Sequence, residues 1–571
     1  MAAKFFRGGF LLERSILRFI CVILQIMFSK RVKKYLPLVT VVILASILRL
    51  WMLNSVPVSM SDDEIRFVYT SYSLAQTGKD AFGNFLPLVF KMDGANTYGQ
   101  VPMYLSSIPF FFLDLNPFTA RLPYALSGIL SVVLFYFILK KILNNEAVAL
   151  LSAFVLSVSV WHIQISRLAL EADITLLIYL SAITVFIYAK KRTKFIVLSM
   201  MLFFFAFHGY AALKVIFLPL LLTLVLYKFK ELSKKHLLII LATIVLSFGS
   251  FAYLSKTQGA SSYSSKEGAP FFFQDKEQTA LAVELERRFS DEPPMIEKIY
   301  HNKFTYWFRI FSSNYLHAFS PDYLFLSQEA NGIYSIWGRG ELYMFELPFI
   351  FMGALWLFMR KRREFYSLLF LLLISPLPSA LGTTSPTWTS RSSFMIFWLC
   401  AFIGAGIFAF VTYRKEKVYK YLAILFISAL YLYGVLGYLS QYYYDWSRTN
   451  AKYFSKSTKD LVYMIDRYKK EGKTVMVSGA TVNTFMHYAF YNKTNPSYVH
   501  LNINKHPIEF ENMILSQDCF FKPFSNPYAL IPANHVYITE LKCSYKVSPT
   551  SSIKTFDNQE TIWNIYESRK D

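Results

Sequence analysis

Charge is scarce in this chain. Only 17% of its 571 residues are Asp, Glu, Lys or Arg, where a soluble protein carries roughly a quarter. Acids are scarcest, 37 against 59 basic residues. An ordinary soluble globule is excluded by that shortage. Cysteine is rare too: the four residues form no C-x-x-C pair and no His-rich cluster accompanies them, so no structural zinc site is expected. Internal repeats and matching Gly/Pro-broken segments, which mark many secondary transporters, are not evident. No basic face interleaved with aromatics is present either, which argues against a single-stranded nucleic-acid partner.

What is abundant is apolar length. The chain is 54% hydrophobic and 18% aromatic, and long apolar runs recur from about residue 35 to about 441 before stopping. A membrane-spanning helix needs about 20 such residues. That window predicts a polytopic α-helical membrane protein with about eleven spans, at 35–54, 119–140, 145–163, 173–189, 195–209, 211–228, 237–254, 341–359, 364–382, 391–412 and 419–441. Basic residues cluster between them: "KRVKK" at 30–34, "KK" at 140–141, "KKRTK" at 190–194, "KFKELSKK" at 228–235, "RKRR" at 360–363 and "RKEKVYK" at 414–420. If the chain starts inside, every cluster falls on the cytoplasmic side, as the positive-inside rule requires. The net charge of +22 then reports topology, not nucleic acid. The expected location is the plasma membrane, with the N-terminus cytoplasmic and the C-terminus outside.

Three parts are expected. Residues 1–34 form a cytoplasmic or interfacial segment, in which Glu13, Arg14 and Arg18 interrupt an apolar stretch and favour an amphipathic surface helix; a start at Met27 is the alternative, and no small-residue cleavage site marks a signal peptide. Residues 35–441 form the membrane domain, with long outside loops at 55–118 and 255–340. Residues 447–571 form a small extracytoplasmic α/β accessory domain: "STKDLVYMIDRYKK" reads as an amphipathic helix, and "TVMVSG", "SYVHL" and "HVYITEL" as strands. Cys519 and Cys543 lie in this tail, where an oxidising compartment permits a disulfide, although spacing alone leaves the pairing open. "NKT" at 492–494 matches the N-glycosylation acceptor pattern.

Candidate chemistry gathers on the outside edges. Arg167, Lys214 and Arg391 stand in short outside connections, against the topological bias. Snorkelling to headgroups explains any one of them; together they suggest an anion-binding cavity, since Arg forks and Lys point charges both suit phosphate. Asp62, Asp63 and Glu64 follow the first span. A partly desolvated carboxylate there gains basicity useful to a general base. The plainer reading is a capped helix, "SDDEIRFVYTSYSLAQTG", ending at Gly78. His208 and His317 are read mainly as packing residues, with a catalytic group as the alternative for His208 and a contact to donor or acceptor for His317.

"DEIRFVYTSYSLAQTGKDAFGNFLPL", then "YGQVPMY" and "ARLPYALSG", resemble the first outside loop of GT-C glycosyltransferases. The closest type is the protein O-mannosyltransferase-like group that includes the lipid A aminoarabinose transferase. "HIQISRLALEAD", "SPDYLFLSQEANGIYSIWGRGELYMFELP" and "TWTSRSSF" match later pieces in order. The resemblance implies inverting transfer of a sugar from a polyprenyl-phosphate carrier to an acceptor hydroxyl on the extracytoplasmic face. It makes Asp63 the general base and Glu64 its catalytic neighbour, which orients it or contacts the acceptor, and leaves Asp62 as a helix-capping bystander. Tyr98, Gln100, Arg167, Glu171, His317, Lys214 and Arg391 become substrate-binding residues, the last two on the lipid phosphate. Gln100 and Val101 replace a Lys and a Pro of the usual pattern, which removes one phosphate contact. No cofactor is expected; a divalent ion held by Asp63, Glu171 and Asp173 is the less favoured option. A transporter or flippase of lipid-linked sugars, or a non-catalytic protein whose tail binds a partner, remain the rival functions.

Overall fold

The computed structural model describes residues 35–92, 96–257, 276–327, 331–382, 388–521, 526–543, 545, 547–555 and 560–568. The expected surface helix before residue 30 lies outside them. Each apolar run carries a helix: Leu36–Leu50, Pro117–Leu143, Glu146–Val158, Glu171–Tyr188, Thr193–Phe207, Phe217–Lys228, Lys234–Thr257, Leu347–Arg360, Arg362–Ile374, Met395–Val411 and Lys417–Ser440. Five helical stretches among the described residues, Pro117–Leu143, Glu171–Tyr188, Ala212–Glu231, Lys234–Lys256 and Lys417–Thr449, are long and apolar enough to cross a membrane.

The ends of the bundle differ in charge. Lys140 bonds Glu146 at 3.0 Å and lies 5.4 Å from the Tyr35 ring, Lys141 lies 5.9 Å from the Tyr188 ring, and Lys228 donates to Ile187 O at 3.1 Å. Thr193 and His236 are joined at 3.1 Å. The basic clusters at 140–141, 190–194 and 228–235 therefore meet at one end. Segments around residues 50–64, 99–121, 166–171 and 209 meet at the other, through bonds set out below.

Glycine brings the middle helices into contact. A Cβ on Gly353 would collide with Phe402 O, one on Gly406 with Phe349 O, and one on Gly404 with Ser152 of Glu146–Val158. Backbone approach of this kind supplies the van der Waals contact that holds helices together where lipid replaces water. Ordinary side chains would push them apart.

The tail folds as a sheet domain with helices. After the loop pair β1 (Phe90–Met92) and β2 (Asn96–Tyr98), the tail supplies β3 (Thr474–Ser478), β4 (Ile508–Phe510), β5 (Met513–Ser516), β6 (His535–Glu540), β7 (Ser551–Lys554) and β8 (Thr561–Glu567), six strands in the order β4-β5-β3-β6-β8-β7. β3 pairs in parallel with β5 and β6; the outer pairings are antiparallel. Central β3 carries the Val-rich "TVMVS": Val475 and Val477, on one face, are fully buried, and Met476 between them is half-buried. "STKDLVYMIDRYKK" falls on the helix Lys456–Lys470. "SYVHL" does not form the expected strand. Asn495 caps a short helix, Pro496–Asn502, by accepting the Ser497 N–H at 2.9 Å; an Asn-Pro pair at the N-cap and first helical position overrides the β propensity of the Tyr and Val. Cys519 and Cys543 are joined in a disulfide, with Cα atoms 5.8 Å apart.

A branched side chain at the glycine crossings should be poorly tolerated. Gly404→Val is expected to lower the midpoint of thermal unfolding in detergent by several degrees, consistent with the roughly 1–3 kcal/mol cost of overpacking; the same change at Gly472, whose Cβ position meets nothing within 4 Å but whose φ is +79°, should act only through local backbone strain.

Candidate active site at one end of the bundle

Ser61 opens the helix Asp62–Thr77 with a capping box. Its hydroxyl accepts the Glu64 N–H at 3.3 Å and the Glu64 carboxylate accepts the Ser61 N–H at 3.0 Å. Gly78, at φ +70°, ends the helix in the left-handed conformation that glycine adopts freely. Three acids in the first turn suit the positive end of the helix dipole. Successive helical residues point about 100° apart, so the three carboxylates go to three different environments.

Glu64 turns inward. It and Arg121 are fully buried, and the guanidinium grips the carboxylate with Nε at 2.9 Å and Nη2 at 3.1 Å. Arg121 also donates to Pro57 O and Ser59 O, and Glu64 accepts the Ala169 N–H at 3.0 Å. A carboxylate so enclosed has no free edge for an acceptor. Glu64 is therefore an anchor for the helix, not the catalytic contact expected from the sequence.

Asp62 is no bystander. It accepts bonds from His487 Nε2 at 3.0 Å, Ser455 Oγ at 2.6 Å and Asn483 Nδ2 at 2.9 Å, all from the C-terminal part of the chain. Burial alone would raise its pKa, but these bonds and the charge of His487 outweigh burial and hold it well below the usual carboxylate range. Arg66 to Asn483 (2.6 Å), Ser59 to Tyr491 (2.8 Å) and Ser73 to His500 (2.9 Å) extend the same seam. Asp63 is left as the exposed member of the three.

Opposite Asp63, three segments converge. Glu171 is nearly buried at the start of its helix and accepts the Gly99 N–H at 2.7 Å. Gly99 packs against the Gly209 backbone with no room for a Cβ, Val101 donates to His208 O at 3.4 Å, and Tyr210 N–H reaches Thr175 Oγ1 at 2.8 Å. Asp63 and Lys214 both act electrostatically on Glu171. The Lys214 ammonium also lies 5.9 Å from the Phe207 ring and 5.7 Å from the Phe251 ring. Tyr210 Oη is 3.4 Å from Ser390 Oγ and interacts with Arg391. The turn at 208–214 thus links the segments of Gln100, Glu171, Lys214 and Arg391, and Asp63 acts on this group through Glu171. Gln100 is buried, with Oε1 unpartnered among the described residues.

The remaining candidates divide. Arg167 is not a phosphate ligand. Fully buried, it donates to the carbonyls of Leu48, Arg49, Trp51 and Val56 and to Tyr442 Oη; it closes the carboxyl end of Leu36–Leu50, whose last carbonyls otherwise lack partners. His317 ends the helix Lys303–His317 against the Tyr323 ring at 5.9 Å, and burial holds its pKa below the ordinary value. His208 is buried and bonds Ser250 at 2.8 Å, a packing role. Tyr98 ends the strand Asn96–Tyr98; its side chain lies outside the described residues. Asp173 is buried and interacts electrostatically with Arg49. Among the described residues no group of three or more His, Cys, Asp or Glu could hold a metal ion.

Two tests follow. Arg121→Met strands a buried carboxylate and should cost about 3–5 kcal/mol of stability, with part recovered on adding Glu64→Gln, as read by thermal unfolding. The depressed Asp62 contributes stability that is fully present above about pH 4 and declines as pH falls through the folded value. Asp62→Asn should lower the unfolding temperature at pH 7 and remove that acid-dependent portion.

Residues 39–227 match the family model "Dolichyl-phosphate-mannose-protein mannosyltransferase". No curated protein sequence matches the chain. Among solved structures, the chain is similar to apo ArnT from Cupriavidus metallidurans (TM-score 0.49, 10% identity, covering 95% of this chain and 100% of that one). It is also similar to that protein bound to undecaprenyl phosphate (0.48, 10%, 94% and 99%) and to the oligosaccharyltransferase AglB from Archaeoglobus fulgidus in complex with an inhibitory peptide and a dolichol-phosphate (0.43, 12%, 89% and 70%). Over the stretch that holds Asp63, Arg121, Glu171 and Lys214, the chain is similar to dolichyl-phosphate-mannose-protein mannosyltransferases.

Proposed function

We propose that this protein is an inverting glycosyltransferase that moves a sugar from a polyprenyl-phosphate carrier to an acceptor hydroxyl on the extracytoplasmic face of the plasma membrane, with Asp63 as general base. The observation that carries the reading is the sorting of three adjacent acids: Glu64 anchored on Arg121, Asp62 tied to His487, and Asp63 exposed beside Glu171 and Lys214. The match of this same stretch to a family named for a lipid-phosphate sugar donor supports it. The basic clusters at the opposite end of the bundle suit a cytoplasmic end.

The chemistry is a single displacement. Asp63 takes the proton of the acceptor hydroxyl as its oxygen attacks the anomeric carbon, and the bond to the carrier phosphate breaks on the opposite face. Phosphate is already a good leaving group, so one base suffices where a retaining glycosidase needs a carboxylate pair. Lys214 and Arg391 meet the charge that grows on the departing lipid phosphate. Glu171 fixes the Gly99–Gln100 backbone and holds Lys214 by charge, which makes it a positioning residue. The proposed base thus sits in the first turn of the Asp62–Thr77 helix, and the proposed phosphate-binding groups sit on later turns around 214 and 391.

Membranes incubated with a panel of labelled polyprenyl-phosphate sugars should transfer one of them, with an inverted anomeric configuration in the product. Asp63→Asn should slow that transfer by roughly 10²–10⁴-fold. A transporter or flippase would move lipid-linked sugar without forming a new glycosidic bond, and would keep doing so in the variant.

A further inference from the structure

We infer that a saccharide-binding cleft lies between the acid-bearing helix and the C-terminal sheet domain, one helical turn from Asp63. A cavity of about 490 Å³ opens there, within the size range of small-molecule sites. Its rim is polar: Arg66, Asn483, Asn504, His506 and Gln517. Its apolar lining is the half-buried Phe82 ring with Val482 and Ile503.

That combination matches the shape of a sugar. A pyranose ring carries hydroxyls around its edge and C–H groups on its faces. Amides and a guanidinium present donors and acceptors at fixed angles for the hydroxyls, and an aromatic ring covers the C–H face. The wall is held in place: Arg66 Nε donates to Asn483 Oδ1 at 2.6 Å, and Asn483 Nδ2 donates to Asp62 at 2.9 Å. Polar groups positioned by one another lose little freedom on binding.

The cleft is also connected to the proposed chemistry. Arg66 is three residues from Asp63 on the same helix, so the two side chains are surface neighbours. A glycan seated on Phe82 and the amides extends past Arg66 toward the Asp63 carboxylate. Pairing with a free strand edge is one common way to hold an extended peptide, and the residues around this cleft belong to helices and loops, none of them to a strand. The cleft therefore favours a hydroxyl-rich glycan over a peptide as acceptor. This rests on the transferase reading and adds the acceptor class to it.

The full-length protein in nanodiscs, without donor, is tested against biotinylated gluco-, manno- and N-acetylglucosamine oligomers and a Ser/Thr-rich peptide of similar length. At least one oligosaccharide should bind saturably. Phe82→Ala and Asn504→Ala should each weaken it tenfold or more, Phe82→Tyr should retain it, and hydrolysis of the lipid-linked donor by water should be unchanged in all three. Binding of no oligosaccharide, binding of the peptide alone, or binding indifferent to both alanine variants would overturn the inference. The two readings fail separately: a cleft that binds glycan in a protein that consumes no donor removes the transferase, whereas donor turnover with an empty cleft removes the saccharide site.

Discussion

The Glu64–Arg121 ion pair is the constraint on which this end of the molecule depends. Two opposite charges are withdrawn entirely from water, and neither could remain there without the other. Arg121 is fixed at the start of Pro117–Leu143 and Glu64 at the start of Asp62–Thr77, so the pair locks a loop helix to the bundle. The spare donors of Arg121 take up Pro57 O and Ser59 O, and the carboxylate takes up the Ala169 N–H. One pair thereby fixes the chain leaving the first apolar helix, the loop helix, and the approach to Glu171–Tyr188. Asp63, one residue from Glu64, inherits its position from that lock.

Arginine is used in the same way twice more nearby. Arg167 collects four backbone carbonyls, and Arg49 donates to Ala45 O, Leu156 O and Ser157 O while meeting His162 Nδ1 at 2.6 Å. Loops at a bundle end expose carbonyls that no helix satisfies. A buried guanidinium, with five donors in a rigid fork, answers several at once. Rigid loops matter for the proposed chemistry, since a base displaced by about 1 Å loses much of its effect. The docking of Asp62 on His487, Ser455 and Asn483 extends this stiffness to the C-terminal domain and forms one wall of the proposed glycan cleft.

Much of this was legible in the sequence, and the exceptions share a cause. Apolar runs marked where the helices lie, and "SDDE" with Gly78 marked both ends of the acid-bearing helix, because those signals are local. The valine-rich "TVMVS" marked the central strand for the same reason. Which acid faces the interior was not legible: Glu64 is buried only because Arg121, 57 residues on, meets it. Basic residues against the topological bias drew attention to this end of the bundle, but that signal did not separate Arg167, which clasps carbonyls, from Lys214 and Arg391, which lie near Glu171 and Tyr210. It applied equally to Arg49 and Arg121, which went unassigned. His487 and Arg66 gave no local signal, since their partners lie more than 400 positions away in sequence.

In the proposed mechanism adjacent acids divide the work, Asp63 for chemistry and Glu64 for architecture. Unfolding temperature and turnover of labelled polyprenyl-phosphate sugar, measured side by side for Asp63→Asn and Glu64→Gln, test that claim most directly. Asp63→Asn should keep the wild-type unfolding temperature and lose turnover, whereas Glu64→Gln should lose stability first and turnover in proportion to it. An Asp63→Asn protein that turns over donor normally, or a Glu64→Gln protein that is fully stable and inactive, would contradict the division.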